Sequence, residues 1–459
     1  MFGGTGMKKG FFFLFILLLL FSGVSNAVAD TKERSWQDES IYYITVDRFN
    51  NSDFNIDFDV DANDQDRYHG GDFQGIIDRM DYIKDMGFTV IGLSSIFDNE
   101  DGGYHGYWIE DYFNTEEHFG SIEKFRELVK QAHNRELKVI IDFVVVPSID
   151  KNTIIDAAKW WVAETEIDGY RLDSTEPVSA EIWQELTKEI KQVDGDFFLL
   201  GDIREDNQDI PKYQDAGIDG LFNYPLNEEL RKAFSKPDSS LNAIAKHNND
   251  FFQPNFMDNQ HTHRFTRDTI SINEHPGPRW KLALTYLYTT PGIPFVYYGS
   301  EIALDGGEEP DNQRQMDFRT DKELIEYITN IAKVRRQLPS LTRGSYEVLH
   351  EENGMIVYKR EYEGETTVVA LNNTTKSQSV TLSSELEDNK ELRGLLNSDL
   401  VRSEDGKYKI IIDRDEAEVY LLAEKTGLNI PFIMVTAGVV ILFLGFLFLV
   451  IRKSKKANN

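Results

Sequence analysis

Short apolar runs alternate with amphipathic stretches through most of this chain. Eight of the apolar runs have the length of a strand: residues 41–49, 89–94, 139–146, 169–172, 197–201, 220–222, 252–256 and 294–297. Helix-period patterns lie between most of them, for example at residues 122–134, 180–192, 280–289 and 324–336. This alternation predicts a parallel (β/α)8 TIM barrel over residues 30–343. The alternative is an open doubly wound sheet, which the lack of a glycine-rich dinucleotide fingerprint after any of these runs disfavours.

The pattern changes at Gly344, where short alternating runs replace the helical stretches. They lie at residues 346–350, 355–360, 366–371, 377–382, 407–412 and 417–422. Turn dipeptides such as Asn353-Gly354 and Asp405-Gly406 separate them. This arrangement predicts a small antiparallel β-sandwich domain over residues 344–423.

Both ends of the chain carry membrane signals. Residues 1–29 combine Lys8 and Lys9 with an apolar run and small residues near Ala27, the pattern of a secretory signal peptide. Residues 430–451 are almost wholly apolar, and a short link at 424–429 precedes them. This stretch predicts a transmembrane helix, because a buried core helix would be expected to show a polar face. The basic tail at 452–459 predicts a cytoplasmic end, so we expect secreted, extracellular main domains anchored to the cell membrane.

Composition narrows the classes of function. The 459 residues carry a formal net charge of −29, and such a surface repels phosphate backbones, so we expect no nucleic-acid partner. The chain has no cysteine, which excludes disulfides, thiol nucleophiles and thiolate metal sites. The sequence leaves the oligomeric state open.

Several motifs along the predicted barrel resemble those of the α-amylase family, glycoside hydrolase family 13. The motifs lie at residues 68–76, 104–108, 111–113, 169–173, 198–201, 255–259 and 290–301. Each string is weak by itself, but their order and spacing are specific, and the resemblance runs from about residue 38 to residue 423. It implies a barrel with a C-terminal β domain that acts on or binds α-glucans such as starch and maltooligosaccharides.

The resemblance implies a retaining glycoside hydrolase site at the carboxyl ends of the strands. Such enzymes hold a carboxylate nucleophile and a carboxylic acid roughly 5–5.5 Å apart. Asp173 matches the nucleophile, and Arg171 matches the arginine that keeps it ionised. Asp142 matches a conserved carboxylate position at the third strand of the family motif.

Other positions depart from the family pattern. Asp202 stands where the family has its glutamic acid, and its shorter side chain predicts a carboxyl separation beyond the retaining range. His261 replaces the third carboxylate, and Gln260 replaces the histidine before it. Pro147 replaces a sugar-binding histidine. These losses predict weak or absent hydrolysis.

More distant changes point the same way. Glu309 and Gln313 stand where the family has a sugar-binding aspartate and arginine. The irregular domain that usually follows the third strand, one wall of the substrate cleft, is missing after Pro147.

Sugar recognition is partly retained. Tyr107 matches the aromatic platform under the sugar at the cleavage point, with His105 and Trp108 beside it and Gln260 across from it as further substrate-binding candidates. The alternative for Tyr107 is a plain core aromatic.

A loop near the amino end resembles a calcium loop found in part of the family. Calcium takes six to eight hard oxygen ligands. The candidates are Asn51, Asp53, Asp57 and Asp72 through side chains and Gly70 through its carbonyl. A solvated acidic loop remains an equal alternative, and no catalytic metal is implied.

Three functions follow as hypotheses. The chain is an α-glucan hydrolase or transferase of reduced activity, a surface-anchored pseudoenzyme that binds carbohydrate or a partner, or a structural surface domain. The presence of both Asp173 and Asp202 favours the hydrolase or transferase. His261 and Pro147, which replace family residues, favour the pseudoenzyme.

Overall fold

The predicted barrel is present in the computed structural model, which describes residues 34–204, 210–246, 252–426 and 430–457. The first strands along the chain are β1 (Ile41–Ile44), β2 (Val90–Leu93), β3 (Phe97–Asn99), β4 (Ile109–Thr115), β5 (Lys138–Val145), β6 (Gly169–Ser174), β7 (Phe198–Gly201), β8 (Gly220–Leu221), β9 (Pro254–Asn255) and β10 (Ile293–Tyr297). All but β3 and β4 form one eight-stranded sheet in the order β8-β7-β6-β5-β2-β1-β10-β9. Every pairing described in it is parallel, which confirms the barrel and excludes an antiparallel central sheet.

Helices follow most of the barrel strands and cover the outside of the sheet. Along the barrel they are α1 (Phe73–Asp85), α2 (Ile122–His133), α3 (Lys151–Thr165), α4 (Ala180–Val193), α5 (Ile210–Asp215), α6 (Tyr224–Phe234), α7 (Asn242–Ala245), α8 (Phe265–Ser271), α9 (Pro276–Thr289), α10 (Glu323–Gln337) and α11 (Pro339–Arg343). Side-chain caps begin several of them: Asp72 accepts from the Gly75 amide and Ser121 from the Lys124 amide. Such caps satisfy backbone donors that the first helical turn leaves free.

A hairpin of β3 and β4 interrupts the regular alternation after β2. Its two strands pair antiparallel with two shifts of register. The turn between them carries His105, Tyr107 and Trp108, so this insertion positions the predicted sugar platform.

The connection after β5 is short. Residues 146–150 lead directly into α3, whose amino end is capped by the Asp150 carboxylate. Trp161 on α3 is buried and donates from Nε1 to the Tyr112 carbonyl at 2.6 Å. The structure therefore has no inserted domain after β5, in agreement with the sequence.

The C-terminal domain is built from antiparallel strands. They are β11 (Glu347–Glu352), β12 (Met355–Tyr362), β13 (Glu365–Asn372), β14 (Gln378–Leu382), β15 (Lys390–Gly394), β16 (Leu400–Arg402), β17 (Tyr408–Ile412) and β18 (Glu416–Glu424). Six of them form a sheet in the order β11-β12-β13-β18-β15-β16, and β14 pairs with β17. A separate apolar cluster that includes Val357, Leu392 and Ile410 fills the space between the two sheets.

Buried Arg360 on β12 joins this domain to the barrel, and buried Arg335 shares one of its acceptors from the barrel side. Arg360 donates to the carbonyls of Thr289, Leu341, Gly344 and Ser345, at distances from 2.6 to 3.0 Å. Arg335 donates to the Leu341 carbonyl as well, at 3.2 Å. The boundary at residue 343 is therefore held by polar contacts on both of its sides.

A long helix, α12 (Ile430–Ala457), ends the described chain. Its segment Met434–Lys453 has a mean hydropathy of 2.9 and is exposed to its surroundings. Among the described residues it is the helix with the length and composition to cross a membrane. The predicted signal peptide lies outside the described residues.

Candidate active site

Four charged side chains converge at the carboxyl ends of β5, β6 and β7. Asp142 pairs in register with Arg171 across β5 and β6, and Asp173 lies two residues beyond Arg171 on the same face of β6. Asp202 directly follows β7. All four are at most 2% exposed. Alternation along adjacent parallel strands thus brings together the residues that the sequence selected.

Arg171 is the centre of this group. It donates to Asp142 Oδ2 at 2.5 Å and makes a second, short ion pair with Asp202 Oδ2. Burial raises the pKa of Asp142 to about 6, although the Arg171 charge and the Tyr43 hydroxyl act against this rise. Arg171 therefore gives its hydrogen bonds to Asp142 and Asp202, not to the nucleophile candidate that the sequence comparison assigned to it.

Asp173 is held from four directions. Its Oδ1 accepts from the Ser174 amide at 2.7 Å and from Arg204 Nη2 at 3.1 Å. Its Oδ2 accepts from the Tyr107 hydroxyl at 2.7 Å and from His261 Nε2 at 2.9 Å. Burial alone would raise the pKa of Asp173, but the His261 hydrogen bond and the two nearby guanidinium charges outweigh it and hold that pKa well below its usual range.

The separation expected between Asp173 and Asp202 is wrong. One oxygen of each carboxyl lies within 4.8 Å of the other, close to the range of retaining enzymes instead of beyond it. The Asp202 carboxyl is held in this position by Arg171, which binds Oδ2, and by the Tyr224 hydroxyl, which donates to Oδ1 at 2.7 Å. The distance between the two carboxyls therefore depends on the hydrogen-bond partners of Asp202 as well as on the length of its side chain, and the length alone could not predict it.

Arg204 is the main site residue that the sequence analysis missed. It follows Asp202 by two positions at the end of β7, and Nη1 lies 3.0 Å from His261 Nδ1. An arginine only donates, so Nδ1 of this histidine must accept, and the ring proton must lie on Nε2. The one available signal was its spacing from Asp202, which places both residues at the barrel mouth.

The hairpin turn lines an open groove above these carboxylates. A cavity of about 350 Å³ is lined by His105, Tyr107, Trp108, Thr175, Arg204, His261 and Glu309. A neighbouring cavity of about 330 Å³ shares Tyr107 and Trp108 and extends to Val146, Ser148 and Ile149, where the short connection after β5 lies. Trp108 is 52% exposed, which suits a platform for an apolar sugar face. Tyr107 is half-buried and bonded to Asp173, so it belongs to the site and is not plain core.

The remaining candidates also line or border this groove. Gln260 donates from Nε2 to the Tyr107 hydroxyl at 3.2 Å. Gln313 donates to Glu309 at 3.3 Å, so the two residues that replace a sugar-binding pair contact each other.

His105, which lines the groove, should make the stability of the protein depend on pH. Burial and the Arg48 charge lower its pKa from 6.5 to about 4, and Nδ1 accepts from the Tyr107 amide at 3.1 Å. A histidine with a lowered pKa contributes stability that is complete above the unfolded pKa and is lost as pH falls through the folded one. Between pH 6.5 and 4 we therefore expect the wild type to lose more free energy of unfolding than His105→Gln. Parallel urea-unfolding profiles for the two proteins across that range would contradict this.

Asp173, Asp202 and His261 also meet a distance requirement for a divalent cation, because one ligand atom from each lies within 4.8 Å of the others. The surroundings do not suit one. Arg171 and Arg204 supply two positive charges to the same carboxylates, and Nε2 of His261 is committed to donating a proton. We derive no step that uses a metal at this place.

The proposed calcium loop is partly assembled. Asn51 donates from Nδ2 to both oxygens of Asp57 at 3.0 Å, while its own Oδ1 is buried without a partner. Gly70 packs so closely on both that a Cβ would lie 2.3 Å from Asn51 Nδ2. Rotating the amide would direct Oδ1 towards the Asp57 carboxylate, an arrangement that suits a hard cation between them.

The other two side chains of that loop have different partners. Asp72 accepts from the amides of Ser52, Asp53 and Gly75, and so closes the loop and caps α1. The Asp53 carboxylate accepts from Asn55.

An eight-stranded parallel barrel with paired carboxylates at its carboxyl mouth defines a glycosidase-type scaffold. Family models agree: "Alpha amylase, catalytic domain" matches residues 43–150 and 146–337, and "Alpha-amylase C-terminal domain" matches residues 344–420. The chain belongs to the α-amylase family of glycoside hydrolases.

Individual relatives support the same assignment. The chain is 49% identical to a crystallised Anoxybacillus α-amylase, with a TM-score of 0.82 over 86% of this chain and 100% of that one. It is 44% identical to a Geobacillus thermoleovorans α-amylase solved with acarbose. The TM-score is 0.81, and the match covers 86% of this chain and 100% of that one. It is also 28% identical to the Beta/alpha-amylase of Paenibacillus polymyxa. That match covers 84% of this chain but only 38% of the length of that protein.

Proposed function

We propose that this protein binds α-glucans at the cell surface and hydrolyses them slowly or not at all. The observation that carries the proposal is the bonding of Asp202. Its Oδ2 forms a buried ion pair with Arg171 and its Oδ1 accepts from the Tyr224 hydroxyl, so both oxygens are engaged by protein donors where a general acid would have to direct a proton at the leaving oxygen. A general acid must carry and deliver that proton.

The bonding of Asp173 supports the same conclusion. A carboxylate has about four acceptor sites, and Asp173 uses them on four donors. Attack on an anomeric carbon needs a free lone pair at about 3–3.5 Å from that carbon. In this arrangement no lone pair of the nucleophile candidate is free.

A fully active hydrolase is the second candidate. The closeness of Asp173 and Asp202, within 4.8 Å, favours it. Turnover would require the Arg171–Asp202 ion pair to open, which is costly for buried and paired charges.

Glucan binding is supported by the groove itself. Trp108 offers an exposed ring, and His105 packs against its edge with centroids 4.7 Å apart. Sugar rings stack on such faces without any need for catalysis. The crystal structure of the 44% identical α-amylase contains acarbose, which fits this class of ligand.

Full-length protein in detergent micelles should bind maltoheptaose in calorimetry and release little or no reducing sugar from it. Replacing Trp108 by Ala should weaken binding at least about tenfold, the equivalent of about 1.4 kcal/mol, because the exposed stacking face is lost. Phe113→Ala is the matched control, since this aromatic is 37% exposed on β4 but lies outside both cavities. Robust hydrolysis that Asp173→Asn abolishes would contradict the proposal and establish an active hydrolase instead.

Calcium binding at Asn51, Asp57 and Gly70 is part of this proposal. The buried, unpartnered Oδ1 of Asn51 supports it. We expect EDTA to lower the melting temperature of the wild type, because a ligand at a hundredfold excess over its Kd stabilises a fold by about 2.7 kcal/mol. The Asp57→Asn variant should melt lower in calcium and respond little to EDTA. Equal melting of the wild type with calcium and with EDTA would favour the solvated loop.

Surface anchoring is the last part of the proposal. The apolar segment Met434–Lys453 and the basic residues after it support an anchor whose tail is cytoplasmic. Protease added to intact cells should then remove the barrel and leave a short membrane-bound fragment.

A further inference from the structure

Arg204 lies where a ligand would have to enter in order to reach Asp173. Its guanidinium bridges Asp173 Oδ1 at 3.1 Å and His261 Nδ1 at 3.0 Å, and also contacts the Ser174 carbonyl at 3.4 Å. The side chain is 40% exposed, so one side of it faces the groove. It is thus a cover between the groove and the buried carboxylates.

His261 completes that cover. Because Arg204 fixes the proton of His261 on Nε2, the ring donates to Asp173 and cannot accept from a sugar hydroxyl at either nitrogen. The Tyr107 hydroxyl closes the remaining approach to Asp173 Oδ2. A sugar ring could reach Asp173 only by displacing one of these three side chains.

The charge of Arg204 is not offered to an anionic ligand. Burial lowers the pKa of Arg204, but the neighbouring Asp173 and Asp202 carboxylates more than compensate and raise it. The guanidinium is therefore neutralised from inside the barrel, and the groove outside it is lined by uncharged Tyr107, Trp108 and Thr175 with one carboxylate, Glu309. A neutral chain suits this surface better than a phosphorylated or acidic sugar.

We propose that Arg204 takes the place of the glucosyl unit that would otherwise lie on Asp173 and Tyr107, so that the groove holds an α-glucan only along the exposed ring of Trp108. This inference rests on the proposed glucan binding and specifies its register. Arg204 is a specificity-determining and positioning residue: it shortens the binding site by one sugar position and, together with Asp173, fixes the tautomer of His261.

The test compares Arg204→Ala with wild-type full-length protein in detergent micelles. Arg126→Ala is the matched control, because Arg126 is 38% exposed and pairs with two carboxylates, Glu123 and Glu164, away from the groove. Calorimetry with maltoheptaose should show binding at least about tenfold tighter for Arg204→Ala, since one more sugar position opens, and no change for Arg126→Ala. Imidazole nitrogen NMR, assigned with His261→Gln, should show the proton on Nε2 in both proteins, because the Asp173 carboxylate still accepts it, and a hydrogen-bonded Nδ1 in the wild type only.

The outcomes separate the two proposals. Wild-type binding that Arg204→Ala does not tighten overturns the role of Arg204 while leaving glucan binding intact. A wild-type His261 protonated on Nδ1 also overturns it, independently of any sugar. Absence of maltoheptaose binding by both proteins, with the His261 proton on Nε2, overturns the proposed function and this inference with it.

Discussion

Replacing Arg171 by Met is expected to lower the free energy of unfolding by about 3–5 kcal/mol. The guanidinium is fully buried and pairs with both Asp142 and Asp202. Without it, two buried carboxylates lose the charge that they pair with, and removing one partner of a buried pair is far more costly than removing an exposed one. Urea unfolding of the full-length protein, followed by tryptophan fluorescence, measures the loss.

The pH dependence of this loss identifies its cause. Carboxylates with a raised pKa contribute stability that is present at low pH and is lost as pH rises through the folded pKa. Asp142 has a pKa of about 6 beside Arg171, and losing that charge raises this pKa further, so the deficit of Arg171→Met should shrink as pH falls towards 6 and be smallest below it. Adding Asp142→Asn and Asp202→Asn should recover part of it at neutral pH. A loss below about 1 kcal/mol, typical of an exposed ion pair, would contradict the prediction.

Replacing Arg360 by Met is expected to lower the free energy of unfolding by a similar amount, through contacts between the barrel and the C-terminal domain. Four backbone carbonyls lose this donor, and among the described residues only the Leu341 carbonyl keeps a second one, from Arg335. Each buried group left without a partner costs about 1–3 kcal/mol, although these costs do not add fully. Burial lowers the pKa of Arg360 to about 10, because none of these acceptors carries a full negative charge. We expect a loss of about 3–5 kcal/mol and unfolding in two steps, since the contacts lie between the barrel and the C-terminal domain.

Arg402→Met provides the comparison for that variant. Arg402 lies in the same sheet, is 54% exposed and pairs with Glu391. Its replacement should change the free energy of unfolding by less than about 1 kcal/mol. Equal losses for the two variants, or a single sharp transition for Arg360→Met, would show that Arg360 does not couple the domains.

The sequence predicts the barrel well because its strands are almost continuously buried. The run at 139–146 corresponds to β5, which is buried over nearly its whole length, and the predicted helix at 122–134 corresponds to Ile122–His133. The hairpin of β3 and β4 was missed because β3 has only three residues and β4 does not alternate regularly. The strand Lys390–Gly394 was missed because only two of its residues are fully buried, and one of those is Glu391.

The site was predicted unevenly for a similar reason. Asp142, Arg171 and Asp173 follow from alternation on adjacent strands, which fixes the face of each side chain. Alternation does not say which partner a side chain then selects. The position of the Asp202 carboxyl depends on Arg171 and Tyr224, and the position of the Arg204 guanidinium depends on Asp173 and His261. The partners in these pairs are 22 to 57 residues apart in sequence.

The short connection at 146–150 has a kinetic consequence for any chain that lies in the groove. A ligand contacted on fewer sides buries less surface, and among related complexes such differences appear mainly in the dissociation rate. Residence at any one position would therefore be brief, and a long polymer would be retained by rebinding at its next repeat. If many copies stand side by side on a membrane, their brief contacts combine through a high effective concentration, so adhesion to the polymer would be durable even though each contact is short-lived.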